Sequence, residues 1–381
     1  MHVGVPKESK DQERRAGMTP VGARELVARG HTVLVEQGLG EGIGMPDSAY
    51  AAAGARVVPS GREVFAEAEL VVKVKELQPH ERGWLRPRQV LFAYLHLAAD
   101  RPQAEALLAS GAIAIAYETV TAPGGTLPLL APMSEIAGRM AVQVGAAYLE
   151  SPRGGRGVLL GGVPGVEPGH VVVIGAGTAG RNAAQMAIGL GARVTVLNRG
   201  VERLRELDQL HGNRLVTRIA HRESIEESVL AADLVIGAVL NPGDAAPRLV
   251  DRSTVSRMRA GAVVVDIAID QGGCFETSRP TTHTEPVYQE SGVLHYCVTN
   301  MPGAVARTST LALTQATLPF VCALADLGWR DALARDLHLR SGLNIWEGNV
   351  ACAPVAAALK LPWRPADASG SSRAPARSAD P

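Results

Sequence analysis

Aromatic side chains are scarce, only 4% of 381 residues, so small aliphatic residues must fill the interior, and the abundance of Ala and Gly points to helices packed closely on sheets. Neither sign of charge is in excess, with Lys plus Arg and Asp plus Glu at 38 each. No overall field then draws the protein to nucleic acid or to an anionic membrane, and a small-molecule partner is the better expectation. The four cysteines, at 274, 297, 322 and 352, lie far apart without a CxxC pair. That argues against a structural zinc site and predicts reduced, mostly packed thiols in a cytoplasmic protein. Lys7, Glu8, Lys10, Asp11, Glu13, Arg14 and Arg15 crowd the first fifteen residues and leave no room for the apolar stretch of a secretory signal. No segment reads as the run of about 18 uncharged apolar residues that a membrane span needs. What remains is a globular chain, 46% hydrophobic and 20% charged, long enough for two domains.

Residues 171–199 read VVVIGAGTAGRNAAQMAIGLGARVTVLNR. A buried strand leads into a turn with Gly175, Gly177 and Gly180, an Ala-rich helix opens around Thr178 and Ala179, and a second strand ends in Asn198. The first glycine permits the tight turn, the second lets backbone approach a pyrophosphate, and the third allows close helix packing. With VVVI before the turn and Ala183, Ala184 and Ala187 after it, the segment predicts a βαβ unit for a nicotinamide or flavin dinucleotide. The second strand normally ends in an acid that holds the ribose 2′-hydroxyl. Here Asn198 is followed by Arg199, with Arg203 further on. A neutral amide beside guanidinium groups would tolerate a 2′-phosphate, which keeps NADP open; equally, Arg199 could be solvated and Asn198 bind the ribose of NAD unaided.

Strand-like runs recur before the fingerprint at 2–5, 32–35, 69–74, 89–95 and 111–116. Between the first two, Thr19 caps a helix with Pro20 at its first position and Gly30 past its end. Ile136, Met140, Val144 and Tyr148 fall at helical spacing and predict a long helix leading out of this first α/β domain. Runs at 214–219, 233–238, 262–267 and 293–298 then complete about six strands of a second sheet. Beyond 305 the pattern reads as helical, without strands. The expected fold is therefore α/β, two Rossmann-like domains with doubly wound parallel sheets. A cofactor domain, 131–305, is inserted in a discontinuous substrate domain, 1–130 and 306–363, and a Pro-, Ser- and Ala-rich tail, 364–381, is expected to be disordered.

Ligands of open parallel sheets bind outside the carboxyl ends of the strands. Lys75 follows ELVVKV, His96 follows VLFAYL, and Arg15 lies in the loop after the first strand; Asp270 and Asn300 follow strands of the second domain. Two such rims facing across a cleft would make an interdomain active site. Each residue also has an ordinary explanation. Lys75 could be a solvated strand-end charge, with Lys73 on the same face an equal candidate, His96 a core histidine, and Arg15 a surface charge. Asp270 and Asn300 could cap turns before Gly272 and Pro302.

Through VGVPKE, RRAGMTP, LVVKVKE, FAYLHLAA, LPLLAPMSEIAGR, LLGGVPGV, VVVIGAGTAG, DIAIDQGGCFE, RPTTH and CVTNMPGAV, the chain resembles the alanine dehydrogenase and nicotinamide nucleotide transhydrogenase family over roughly residues 1–362. The resemblance implies reversible oxidative deamination of L-alanine to pyruvate and ammonia, with hydride transfer to NAD or NADP, by a homohexamer. It implies that Arg15 and Lys75 hold the substrate carboxylate and keto oxygen, that His96 is the general acid/base, and that Asp270 assists proton transfer or orients the reacting groups. Met133, Asn300 and the 301–305 segment would border the substrate. Ser134, Arg203, Val239, Ile267, Asp270, Asn300 and Met301 would surround the cofactor beside the glycine turn.

The chemistry suits these residue types. An imidazole with a pKa of about 6.5 can shuttle protons near neutrality, arginine is a permanent fork for a carboxylate, and a lysine beside a carbonyl stabilises developing negative charge. Three departures from the family stand out. Asn198 replaces the ribose-binding acid, Ala220 replaces a cofactor-side serine, and of the Glu and His metal pair seen in some members Glu118 is present but Leu327 stands at the other place. No bound magnesium is therefore expected. The alternatives are the same chemistry on another small amino acid or 2-oxo acid, or a non-catalytic nucleotide-binding module of transhydrogenase type; the latter predicts a coupled membrane segment or a damaged reactive set, and neither is read here, since Arg15, Lys75, His96 and Asp270 are all retained.

Overall fold

A computed structural model describes residues 1–239 and 246–366, and the chain divides into two compact units, Met1–Pro132 with Val305–Pro381, and Met133–Ala304. In the first unit β1 (His2–Val5), β2 (Thr32–Glu36), β3 (Arg56–Val58), β4 (Leu70–Val72), β5 (Val90–Ala93) and β6 (Ile113–Ala116) run parallel. The inner strands β5, VLFA, and β6, IAIA, are apolar without alternation because each of their residues is buried, as parallel strands covered on both faces require. Phe65, Leu77, Leu91, Leu107 and Ile345 form part of the core on one side. The sheet order is β6-β5-β4-β1-β2-β3, so the chain winds outward from β1 through β3 and then crosses to β4 on the other side of β1. Between β1 and β4 lies the switch point, where loops leave in opposite directions and open a crevice. The helix Pro20–Ala28 starts as expected, its Thr19 hydroxyl accepting the Gly22 N–H at 3.4 Å.

The returning segment corrects the all-helical expectation. Leu343–Trp346 pairs antiparallel with β6, and Asn349–Val350 folds back beside it, so the sheet has eight strands. Four and two residues are too few to show a period, and periodicity alone gives no strand there. The long helix Ala306–Arg335 breaks its regular geometry at Gly328 (φ 73°, ψ 158°). With the turn before it, the stretch Met301–Arg335 is long and apolar enough by composition to cross a membrane, which corrects the expectation that no such run exists. Ser309, Thr310, Thr314 and Thr317 interrupt its apolar letters and are buried, and the Thr310 hydroxyl accepts the Ala16 N–H at 3.0 Å, so one face of the helix packs against this unit. The tail begins later than 364. Arg364 N–H donates to the Val350 carbonyl and the Trp363 indole to the Ala351 carbonyl, both at 2.8 Å, while the expected disorder from 367 onward lies outside the described residues.

In the second unit β7 (His170–Ile174), β8 (Arg193–Asn198), β9 (Val216–Ile219), β10 (Leu234–Gly237), β11 (Val263–Asp266), β12 (Val287–Glu290) and β13 (Val293–Tyr296) form a sheet of order β12-β13-β11-β10-β7-β8-β9. All are parallel except β12, an antiparallel edge strand whose VYQE sequence, half exposed, gives no apolar run to read. The switch point here lies between β7 and β10. The helix Ala131–Tyr148 packs through glycine: a Cβ on Gly138 would lie 2.1 Å from the Ala179 carbonyl oxygen, and one on Gly145 2.6 Å from Leu234.

Candidate active site

The first unit gathers Arg15, Lys75 and His96 at the carboxyl ends of β1, β4 and β5, three strands in contact around the switch point. The Arg15 loop is drawn against the end of β4, since a Cβ on Gly17 would lie 2.8 Å from the Val72 carbonyl oxygen. Arg15 is buried, and Glu13 grips its guanidinium as a fork, Nε donating to Oε1 at 2.7 Å and Nη2 to Oε2 at 2.6 Å. Burial works against the Arg15 charge, yet the hydrogen bonds and charge of Glu13 hold its pKa above the usual value. The surface-charge explanation is thereby excluded.

The choice between Lys73 and Lys75 is decided by their neighbours. Lys73 is fully buried with Nζ 2.9 Å from Glu81 Oε1 and 3.2 Å from Glu8 Oε2, and although burial opposes its charge, the two carboxylates raise its pKa. It is a structural cation. Lys75 is half-buried, and burial first, then the nearby Arg15 guanidinium, push its ammonium below the usual lysine range. Glu8 links the two, for its Oε1 accepts the Val74 N–H at 2.6 Å and the Lys75 N–H at 3.3 Å. Two cations of the same rim thus stand within electrostatic reach, a natural seat for an anionic substrate.

His96 is no core histidine. Its side chain is 51% exposed and its backbone is left-handed (φ 49°, ψ 38°), a conformation that costs a residue with a Cβ roughly 1–2 kcal/mol. The Tyr94 ring lies parallel to the imidazole at 5.9 Å between centroids. Glu118, from the turn after β6, accepts the His96 N–H at 2.6 Å.

The second unit places its candidates in the same way. Gly175 has φ 108°, and a Cβ there would lie 2.5 Å from the Ala238 carbonyl oxygen and 3.3 Å from Val239, so the turn after β7 and the end of β10 leave no room for a side chain. A Cβ on Gly180 would fall 1.9 Å from the Gly175 carbonyl oxygen, which forces the helix Thr178–Gly189 tight against the turn. At Gly177 the added atom would meet only Arg203 Nη1, at 3.6 Å, among the described residues. This glycine keeps space open rather than packing, and Thr178 and Ala179 follow it with the unpaired amides of a helix start. The cradle fits a dinucleotide pyrophosphate. Asn198 is held in place: its Oδ1 accepts the Ala176 N–H at 3.1 Å and its Nδ2 donates to the Gly200 carbonyl at 2.8 Å, while Arg199 and Arg203 are exposed beside it.

Ile267 and Asp270 lie in the short helix Ile267–Gln271 after β11, Asp270 exposed and Ile267 half-buried. Asn300 follows β13 with φ 61°, its carbonyl 3.2 Å from His283 Nε2, and Met301 is buried beyond it. Met133 is buried in the first turn of Ala131–Tyr148, and Ser134 sits one turn from the Gly138 contact with Ala179. Among the described residues no group of three or more His, Cys, Asp or Glu is arranged to hold a metal. Three carboxylates at these rims escape a reading of strand ends. Glu13 serves Arg15; Glu8 serves Lys73 and the Lys75 backbone; buried Asp266 accepts the Ala268 N–H at 3.0 Å, the Cys274 N–H at 2.9 Å and the Ser278 hydroxyl at 2.6 Å, fixing the loop that carries Asp270.

The sequence model for the alanine dehydrogenase/PNT N-terminal domain matches residues 4–137, and that for the alanine dehydrogenase/PNT C-terminal domain matches residues 141–353. The chain belongs to this family. It is 57% identical over 361 residues to an alanine dehydrogenase of Halomonas elongata, covering 95% of this chain and 97% of that protein, and 50% identical over 368 residues to the alanine dehydrogenase of Bacillus subtilis, covering 96% and 97%. A solved L-alanine dehydrogenase superposes with a TM-score of 0.92 at 51% identity over 94% of this chain and 99% of its own. The transhydrogenase from Sinorhizobium meliloti gives 0.77 at 25% identity over 93% and 99%. The two units thus have the fold of alanine dehydrogenases, and the alanine dehydrogenase relatives make the chain an NAD-dependent oxidoreductase acting on a CH–NH2 group.

Proposed function

We propose that this family member is an L-alanine dehydrogenase, catalysing the reversible oxidative deamination of L-alanine to pyruvate and ammonia. One observation carries the reading: Arg15, Lys75 and His96 follow the three neighbouring strands β1, β4 and β5 at one rim, with Arg15 held as a fork by Glu13 and the Lys75 backbone tied to Glu8. Arg15, its fork set by Glu13, binds the substrate carboxylate. Lys75 donates to the keto oxygen and stabilises the charge that grows there. His96 takes and returns protons at a ring nitrogen as the imine adds water and the carbinolamine collapses to 2-oxo acid and ammonia. Asp270 orients the reacting groups, while Met133 and Asn300 border the substrate. The dinucleotide, when bound, supplies the hydride acceptor. Gly175, Gly177, Thr178, Ala179 and Gly180 would hold its pyrophosphate, Asn198, Arg199 and Arg203 its adenosine ribose, and Ser134, Val239, Ile267, Asp270, Asn300 and Met301 its remainder.

Asn198 brings no carboxylate to repel a 2′-phosphate, and its amide is already committed to the Ala176 and Gly200 backbone, so NADP is accepted alongside NAD. The assembly is a cytoplasmic homohexamer, which light scattering would register as a particle six times the 39.9 kDa chain. An initial-rate matrix of pyruvate, glyoxylate and 2-oxobutyrate with ammonia, against NADH and NADPH, tests the reading. Pyruvate should give the highest kcat/KM, and NADPH should bind at least as tightly as NADH. Turnover of none of the three acids would sink the enzyme reading, and a strong NADH preference would sink the argument from Asn198 and Arg199.

A further inference from the structure

We propose that Glu118 is the positioning residue for His96, setting both the backbone that presents the imidazole and the ring nitrogen that carries its proton. The inference rests on the proton role given to His96 above. Four observations meet at this carboxylate. Strands β5 and β6 are parallel neighbours with Ala93 opposite Ala116, so the loops leaving them deliver His96 and Glu118 side by side. Glu118 Oε1 accepts the His96 N–H at 2.6 Å, and the Leu95 N–H lies 3.2 Å from both carboxylate oxygens. These bonds clamp the one residue of the segment whose backbone is left-handed, a strained state that persists only where surroundings hold it. The same Oε1 stands 3.9 Å from His96 Nδ1, with the Glu118 side chain 15% exposed and the imidazole 51% exposed.

A negative charge beside Nδ1 favours the neutral tautomer protonated there and leaves the Nε2 lone pair to accept a proton. The contact is longer than a hydrogen bond, as such contacts often are before substrate tightens a site. Tyr94 limits the ring's freedom from one face, its plane within 4° of the imidazole and its own hydroxyl donating to the Leu129 carbonyl at 2.5 Å. Backbone clamp, ring stack and facing charge all come from neighbouring strand ends of one sheet.

Two substitutions separate the duties. Glu118→Gln keeps an oxygen for the two N–H groups and removes the charge; Glu118→Ala removes both. For Glu118→Gln, kcat should fall about 10- to 100-fold, with KM for pyruvate and Kd for NADH within about threefold of the parent and an unchanged Tm. Glu118→Ala should lower Tm as well. ¹⁵N NMR of histidine-labelled protein, with the His96 signals assigned by their loss in His96→Ala, should show the Nδ1-protonated tautomer in the parent and a shift toward Nε2 protonation in Glu118→Gln. A Glu118→Gln enzyme with kcat within about twofold of the parent, or with an unaltered tautomer, overturns the proposal. His96→Ala run in parallel separates the two failures. Retained turnover there defeats the role of His96 itself, whereas a dead His96→Ala beside an intact Glu118→Gln defeats only the assignment of Glu118.

Discussion

Gly177 and Gly180 belong to one fingerprint, but the structure gives them separable duties that alanine can tell apart. A Cβ on Gly180 would lie 1.9 Å from the Gly175 carbonyl oxygen. Neither side of that contact can swing away, so the helix Thr178–Gly189 must retreat by about 1 Å, and overpacking of this kind costs about 1–3 kcal/mol. In a unit of this size each kcal/mol lowers Tm by roughly 2–4 °C. The same retreat carries the first helical amides off the pyrophosphate, and a misplacement of about 1 Å can cost on the order of a hundredfold. Gly177 differs. Its backbone at φ −74°, ψ −170° suits any residue, and the added methyl would meet Arg203 Nη1 at an ordinary 3.6 Å. Gly177→Ala should therefore leave Tm near the parental value, a gain of about 0.4–1 kcal/mol from a less flexible unfolded chain being offset by alanine's poorer fit at this N-cap position. Its methyl fills the space left for the ligand, so NADH affinity should still fall at least about tenfold, or about 1.4 kcal/mol. Scanning calorimetry and NADH fluorescence titration on the same preparations read both quantities. A Gly177→Ala protein that binds NADH like the parent would refute the assignment of the turn, and equal destabilisation by both substitutions would mean that the fingerprint serves packing alone.

Lys73 and Lys75 should part company in the same manner. Lys73→Met leaves Glu8 and Glu81 buried without their cation and should cost about 3–5 kcal/mol by urea titration, whereas Lys75→Met should abolish turnover with a near-parental midpoint; the reverse pattern would exchange their roles. Acid should weaken the Met133–Ala304 unit through His170 and His295, whose pKa values burial pushes below the ordinary 6.5. The unfolded chain then takes up protons first, so stability is full above pH 6.5 and declines as the pH falls below it, levelling once the folded-state values are passed. Urea midpoints near pH 7.5 and 5.5 should show this decline, smaller in His170→Gln; an unchanged decline in that variant would remove His170 from the account.

The inner strands are legible because a parallel strand covered on both faces must be apolar along its length, as VVVI at 171–174 and VVV at 263–265 are. Edge and returning strands are not. RVV at 56–58, VYQE at 287–290 and LNIW at 343–346 are short, and each carries a polar residue: Arg56 and Gln289 face solvent, and the Asn344 amide donates to the Gly342 carbonyl at 2.9 Å. The site divides along the same line. Strand-end position alone singles out Lys75, His96, Asp270 and Asn300, but it cannot choose between Lys73 and Lys75, because the carboxylates that decide come from Glu8 and Glu81 in other segments. Those distant partners also explain what the rim does. Arg15 and Lys73 each have a buried carboxylate that raises the pKa, whereas at Lys75 burial and the Arg15 charge prevail over Glu76 and Glu13 and lower it. Of these three, Lys75 is the cation whose charge burial and the Arg15 guanidinium disfavour. An arriving 2-oxo acid supplies the missing negative charge, and its developing oxyanion supplies more, so the interaction strengthens along the reaction, as preferential binding of the transition state requires.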